Sequence, residues 1–358
     1  MMETGGTMPP PDAEGGHNPF DEFSDIIFAK TFIRRLKEER MNQTPPVPFR
    51  VSNNSLSNMA VCTTKAYLSR IMNLTSKEEN LAARCGQDIH QVLRRWYVGE
   101  ITTARDGVEY LESLYRVFAE QNMRAQDERL RWDNVSKVVE TWLEQHQVAA
   151  FPYRVPLHLV EVEIGVEGSR MYPLYLDDRE EFEFHAIIDM IPQDMSTGSL
   201  LVVDHKTTGW LTSMWVKQWG MSSQLTGYIW AARQFLRGYN VMGALINAIE
   251  LPNLPMSEKK CAKHGVPFSQ CGRYHGKSEL IGPLVRTPYQ VEIWRESAIE
   301  LAKKLKALVG VPLTLLHELP MEGMFNGGCH AYGGCEFLRF CKSGRELRMI
   351  GQLLVNRS

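Results

Sequence analysis

The hydrophobic period of the chain changes several times along its length. "DEFSDIIFAKTFIRRLKEER" spaces its apolar residues at helical intervals, with acids early and bases late, as the helix dipole favours. From about 54 to 150 the helical period persists. There "TSKEENLAARCGQDIHQVLRRWYVGE" predicts a helix with Thr75 or Ser76 as the candidate N-cap. From about 156 the period falls to two. "LHLVEVEIGVEG" alternates, with Glu161 and Glu163 on one face. "EFEFHAIIDMI" and "SLLVVDHKT" follow as two more strands, joined by the turn-forming "PQDMSTG". The helical period returns in "MWVKQWGMSSQLTGYIWAARQFL", and "VMGALINAIEL" predicts a further strand. "VEIWRESAIELAKKLKALVG" is a last helix before a Cys-rich tail. There is no internal repeat.

Helices, three antiparallel-looking strands, a helix, a strand and a final helix predict an α/β core with a helical wrapper. The expected divisions are a disordered Pro/Gly-rich tail over 1–18 and a helix with a Pro-containing linker over 19–50. A helical segment over 51–150 and a core over 151–255 follow. A Cys/His-rich insertion over 256–280 precedes a helix and tail over 281–358.

Composition narrows the picture modestly. A chain of 358 residues with formal net charge −2 can build a sizeable core but projects no global positive field. Any binding of DNA must use a local groove. The first residues lack the apolar centre of a signal peptide, and no stretch approaches the ~20 apolar residues of a membrane span. With seven cysteines, an odd number, the expected setting is a reducing cytoplasm. Clustered cysteines there more often bind metal than pair.

The strand ending "LLVVDHKTTG" places Asp204 and Lys206 on one face, because side chains two apart on a strand point the same way. Asp189 ends the preceding apolar strand, so a hairpin would bring two carboxylates side by side. Their repulsion is resolved by a divalent cation, and oxygen ligands suit magnesium or manganese. His90, one helical turn after Gly86, is a candidate nitrogen ligand. Gln224 and Tyr228, one turn apart on the next helix, are candidates to face the same cleft. A second acid-x-lysine, Glu258 with Lys260, has no strand before it and reads as a solvated charge run. Glu161 and Glu163 read as strand-surface charges.

The set His90, Asp189, Asp204-x-Lys206 and Gln224-x-x-x-Tyr228 resembles the PD-(D/E)xK nuclease superfamily, specifically its RecB-like branch, over roughly residues 51–345. The resemblance implies a restriction-endonuclease-like core, a central mixed sheet flanked by helices. It implies a metal site of His90, Asp189, Asp204 and the backbone carbonyl of His205, with Lys206 as catalytic lysine and Gln224 and Tyr228 lining the cleft. Ala186 stands where the family often has glycine, three residues before Asp189.

The tail "GGCHAYGGCEFLRFCKSG" spaces Cys329, Cys335 and Cys341 as C-x5-C-x5-C, and Cys62 is the candidate fourth ligand of a soft metal centre. RecB-like nucleases of the AddB type and CRISPR-adaptation exonucleases carry one cysteine before the core and three after it. The resemblance therefore implies a [4Fe–4S] cluster clipping the tail. Their usual spacing is C-x2-C-x5-C; here the longer gap includes Gly333 and Gly334, which suit a turn. Four-cysteine zinc and inert thiols are the alternatives. Cys261, His264, Cys271 and His275 (C-x2-H-x6-C-x3-H) form a second set compatible with tetrahedral Zn2+, or an incidental surface insertion. If they bind zinc, Lys259, Lys260, Lys263 and Arg273 fall near phosphates. Cys85, among apolar helix residues, reads as core.

There is no G-x-x-x-x-G-K-[ST] loop, which excludes a helicase–nuclease fusion. The resemblance implies a metal-dependent DNA exonuclease acting on single strands or free ends, of the kind used in phage replication and recombination or CRISPR spacer acquisition. A structure-specific or restriction-type endonuclease is the alternative enzyme. A catalytically silent DNA-binding protein of the same fold is the alternative from another class; a hydrolase of another substrate is a third. Trp210, Trp215 and Trp219 either stack on unpaired bases or belong to the core.

Overall fold

The apolar run Leu200–Val203 is buried throughout, as befits a strand inside a sheet. The computed structural model describes residues 48–356 except 78–79, 122–127, 147–152, 155–159, 165–173, 253–259, 261–264, 268–276 and 331–333. The tail expected to be disordered over 1–18 and most of the helix and linker expected over 19–50 therefore lie outside the described residues. So do Cys261, His264, Cys271 and His275.

In chain order the strands are β1 (Phe49–Ser52), β2 (Leu74–Ser76), β3 (Tyr153–Arg154), β4 (Val160–Ile164) and β5 (Phe182–Met190). Then come β6 (Gln193–Asp194), β7 (Leu200–Thr208), β8 (Val241–Glu250), β9 (Ser278–Val285) and β10 (Leu354–Asn356). The helices that shape the site are α1 (Asn53–Val61), α2 (Leu81–Tyr97), α3 (Trp132–Gln145), α4 (Ser213–Lys217), α5 (Ser223–Phe235) and α6 (Pro288–Ala307).

The sheet is mixed. Antiparallel to β5 run β4 and β7, β1 lies parallel along its first half, and β8 lies parallel to β7. β9 pairs antiparallel with β8. Alternate residues of β7 face two cores. Leu200 and Val202 pack with Leu225 and Ile229 of α5 and Trp294 of α6, while Leu201 and Val203 pack with Ile89 and Leu93 of α2 and Val138 and Trp142 of α3. The expected α/β core is thus a mixed sheet with helices on both faces. Among the described residues, no helix is long and apolar enough to cross a membrane.

Three local differences from expectation have clear causes. The N-cap of α2 is Asn80, whose side chain accepts the Ala83 N–H at 3.1 Å, and not Thr75 or Ser76. Those two residues are committed to β2, which pairs with β10, and Thr75 Oγ1 donates to Glu336 at 2.7 Å. β1 arises across the expected boundary between the linker and the helical segment: its four residues carry too little pattern, and parallel pairing to β5 defines it. β9 was hidden by "IGP" at its centre. It sits at the edge of the sheet among the described strands, where proline is tolerated.

Two glycines let helices approach closely. A Cβ at Gly86 would stand 3.3 Å from Thr207 Oγ1, so α2 rests directly on β7 there. A Cβ at Gly227 would meet Trp294 Cζ2 at 2.6 Å and Asn53 Oδ1 at 2.9 Å, so α5 needs glycine to seat against α6 and α1.

Candidate functional site

Met190 pairs with Val203 in the antiparallel register, so the next cross-strand step sets Asp189 against Asp204. The main-chain N–H of His205 donates to Asp189 Oδ2 at 2.7 Å, and His90 Nδ1 lies 3.3 Å from Asp189 Oδ1. Lys206 Nζ donates to Asp204 Oδ1 at 2.9 Å and lies 2.7 Å from Oδ2. Oδ2 is buried, and the Lys206 ammonium is its ionic partner. His90, Asp189, Asp204, His205 and Lys206 thus form one constellation. It lies where the C-terminal end of β5 meets the middle of β7, with α2 on one face of β7 and α5 on the other.

The charges there are unevenly satisfied. Burial works to raise the Asp189 carboxyl, but the His90 hydrogen bond and charge, with the His205 N–H, hold it well below the usual carboxylate range. Asp204 moves the other way: burial raises it, the Asp189 charge adds to that, and Lys206 only partly opposes. Burial opposes a charge on His90, yet the bond to Asp189 outweighs it and the imidazole is raised. Two adjacent carboxylates, with a single lysine beside them, form a donor set of hard oxygens that a divalent cation fits. Lys206 supplies the positive charge nearest to it.

The side chain of His205 points into the α2 layer. Its ring stacks on Tyr97 (centroids 5.8 Å, planes 3° apart) and meets the His90 ring edge-on at 5.6 Å. Asn247, its register partner on β8, donates from Nδ2 to His205 Nδ1 at 2.9 Å. That bond requires a neutral imidazole with its proton on Nε2. Burial accordingly pulls the His205 pKa down from 6.5 to about 4. A depressed histidine binds fewer protons folded than unfolded, so its contribution is complete above about 6.5 and lost as pH falls towards 4. Thermal melts in chelator are expected to fall across that window in wild type, and to fall less in His205→Gln. Parallel melting profiles would remove this account.

Across β7, Ser222 caps α5 and orients its first turn. Gln224 Nε2 donates to Tyr228 Oη at 2.9 Å, and burial, then the Asp204 and Asp189 charges, raise the phenol. The Gln224 carbonyl accepts from Asn53 Nδ2 at 3.3 Å. Sequence reasoning missed Asn53, Asn247 and Arg286. Asn53 and Asn247 engage site residues only through long-range packing. Arg286 donates to Thr226 Oγ1, between Gln224 and Tyr228. Trp210 is exposed, whereas Trp215 and Trp219 are half-buried against the core. β4 carries Glu161 and Glu163, with Glu163 opposite Ile187.

Away from this constellation, Cys62, Cys329, Cys335 and Cys341 all line one cavity of about 340 Å³. Thr63, just after Cys62, donates from N and Oγ1 to the two carboxylate oxygens of Glu322 at 2.8 Å each, and Thr64 Oγ1 donates to the Pro320 carbonyl at 2.8 Å. A Cβ at Gly323 would stand 3.3 Å from Cys329 Sγ and 3.5 Å from Cys62 Cβ, so glycine brings those segments together. The Cys335 N–H donates to the Cys329 carbonyl at 3.0 Å, and Gly334 takes φ +106°. The long C-x5-C gap therefore closes on itself. Burial, then the neighbouring Cys335, Cys62 and Cys329, push the Cys341 thiol up to about 11. No described cysteine is in a disulfide, and Cys85 is core. Among the described residues, no three His, Cys, Asp or Glu side chains converge as a ready-made site for a metal ion.

No curated protein matches this chain. The family model of the PD-(D/E)XK nuclease superfamily matches residues 50–342, a span containing the paired carboxylates, Lys206, the α5 pair and all four pocket cysteines. With a match of that extent, the chain belongs to the PD-(D/E)XK nuclease superfamily.

Proposed function

We propose that this nuclease is a metal-dependent DNA exonuclease that digests single strands from a free end, with Asp189, Asp204, His90 and the His205 carbonyl as ligands and Lys206 as the catalytic lysine. The observation that carries this reading is the approach of Asp189, held by the His205 N–H, to the Asp204–Lys206 pair on the neighbouring strand. A magnesium or manganese ion held there would activate the attacking water and neutralise charge on the scissile phosphate.

The chain's own groups divide the remaining work. The His205 N–H fixes the rotamer of Asp189. Lys206, 24% exposed where its partner Asp204 is 4% exposed, is the member that can turn outward. Its ammonium then donates to a non-bridging phosphate oxygen or to the attacking water. Tyr228 Oη accepts from Gln224 and keeps its own proton, because burial raises the phenol; that O–H is a donor for a phosphate oxygen. The exonuclease preference and a [4Fe–4S] cluster on Cys62, Cys329, Cys335 and Cys341 are drawn from the resemblance to the RecB-like branch. The shared cavity of the four cysteines supports the second.

End-labelled linear single-stranded DNA, beside a circular control, tests the reading in magnesium, manganese or chelator. Metal-dependent loss of the linear strand only is the expected result. Cutting of the circle makes the enzyme an endonuclease, and no loss of either in metal-loaded protein overturns catalysis on DNA.

A further inference from the structure

Between the end of β7 and the start of α5 the chain reads "GWLTSMWVKQWGM" (209–221), which holds three tryptophans, two methionines, Lys217 and no acid. No residue of α4 or of the 3-10 turn Gln218–Met221 is fully buried, although Trp215 and Trp219 rest partly on the core. Trp210 is 65% exposed, Met214 79% and Met221 73%. Large apolar side chains left in water this close together mark a surface that binds something.

The segment is held in place. The Leu211 N–H donates to Glu250 Oε1 at 3.0 Å, Thr212 Oγ1 accepts the Trp215 N–H at 3.2 Å, and the buried Arg286 donates to the Trp219 carbonyl at 3.4 Å. It is also continuous with the carboxylate–lysine constellation. The Trp215 and Trp219 rings are 5.4 Å apart, and Lys206 Nζ stands 5.7 Å over the Trp219 ring. A ligand crossing this rim towards Lys206 therefore meets flat aromatic and apolar faces and two lysines; the segment itself supplies no carboxylate, and the Glu250 carboxylate beside it is engaged by the Leu211 N–H.

Unpaired bases carry π-faces at regular intervals along an anionic backbone, and that chemistry matches the rim. We propose that the 210–221 rim stacks unpaired bases of a DNA strand whose phosphate lies at Lys206, selecting single-stranded over duplex substrate. A duplex hides its base faces in its own stack. The inference rests on the nuclease reading and adds the residues that choose the strand form. Trp210 and Met214 provide the accessible contact, and Trp219 links it to Lys206.

The test uses full-length protein with calcium as a non-catalytic cation, at one fixed salt concentration. A labelled single-stranded oligonucleotide is compared with an abasic one of equal phosphate number. Wild type is expected to bind the base-bearing strand at least about tenfold more tightly. Trp210→Ala/Met214→Ala should bring the two within about twofold of each other, with abasic binding unchanged, and Trp210→Phe should keep most of the preference. Equal binding of both strands by wild type, or a preference that survives in the double variant, overturns the rim. The nuclease reading would still stand if linear DNA is cleaved in magnesium. A double variant that changes oligomeric state in light scattering and keeps its base preference assigns the patch to self-association, also overturning the proposal. If neither strand is bound or cleaved, both readings fall together.

Discussion

Replacing Lys206 by alanine is expected to slow metal-dependent cleavage of linear DNA by about 10²–10⁴-fold, the range for losing one positioned proton donor. The change should leave the fold intact. Lys206 is partly exposed, and its loss removes the cation beside a buried carboxylate. Stranding a buried charge is ordinarily costly. Here burial already raises the Asp204 pKa, and without Lys206 it rises further, so protonation caps the cost. The variant should therefore melt near wild type while needing more metal, since cation binding must first displace that proton. Lys206→Arg should not rescue, because a planar guanidinium does not replace a compact ammonium on a short reach from a strand. Cleavage rates in manganese, with manganese affinity followed by electron paramagnetic resonance, separate the two effects. A variant retaining more than a tenth of wild-type activity would remove Lys206 from the chemistry.

Much of this site was legible because its carboxylates sit where apolar runs in the sequence stop. The apolar runs before Asp189 and Asp204 announce two strands, and the four-residue spacing of Gln224 and Tyr228 reappears as the 2.9 Å bond on α5. Gly86 one turn before His90 is explained by the contact of α2 with Thr207. The parts that could not be read depend on register between distant strands. Asn247 reaches His205 because β8 lies parallel to β7 with those residues paired, and a one-residue slip would turn it away. Asn53 reaches Gln224 across 171 positions, with no local spacing to signal it. The N-cap of α2 was misplaced because Thr75 and Ser76 look like caps locally, while pairing with β10, near the chain's other end, claims them. Ala186 departs from the family's usual glycine without visible strain: it is buried in β5 opposite Ile164, where a methyl packs.

The four cysteines give the second large expected effect. Protein purified without oxygen should contain iron and acid-labile sulphide, and Cys341→Ser should lose most of both. Cys85→Ser, a change to a core thiol outside the pocket, should keep them. The raised Cys341 thiol is the physical reason: burial and the neighbouring sulphurs disfavour its thiolate, and a cationic centre would stabilise it. The energetic consequence is smaller than loop length suggests. Cross-linking Cys62 to Cys329 closes more than 250 residues, worth about 5 kcal/mol if the unfolded chain were the whole account. The protein already closes that loop through Thr63 with Glu322, Thr64 with Pro320 and β2 with β10. Loss of the centre should therefore lower Tm by on the order of 5 °C and leave the sheet folded, loosening the tail first. Limited proteolysis would show this as faster cutting after Met321 in Cys341→Ser. One zinc per chain in place of iron, lost in the same variant, would make the centre a zinc clip. Wild type with neither metal would overturn the centre and leave a pocket of four thiols whose segments are joined by the Thr63 and Thr64 hydrogen bonds.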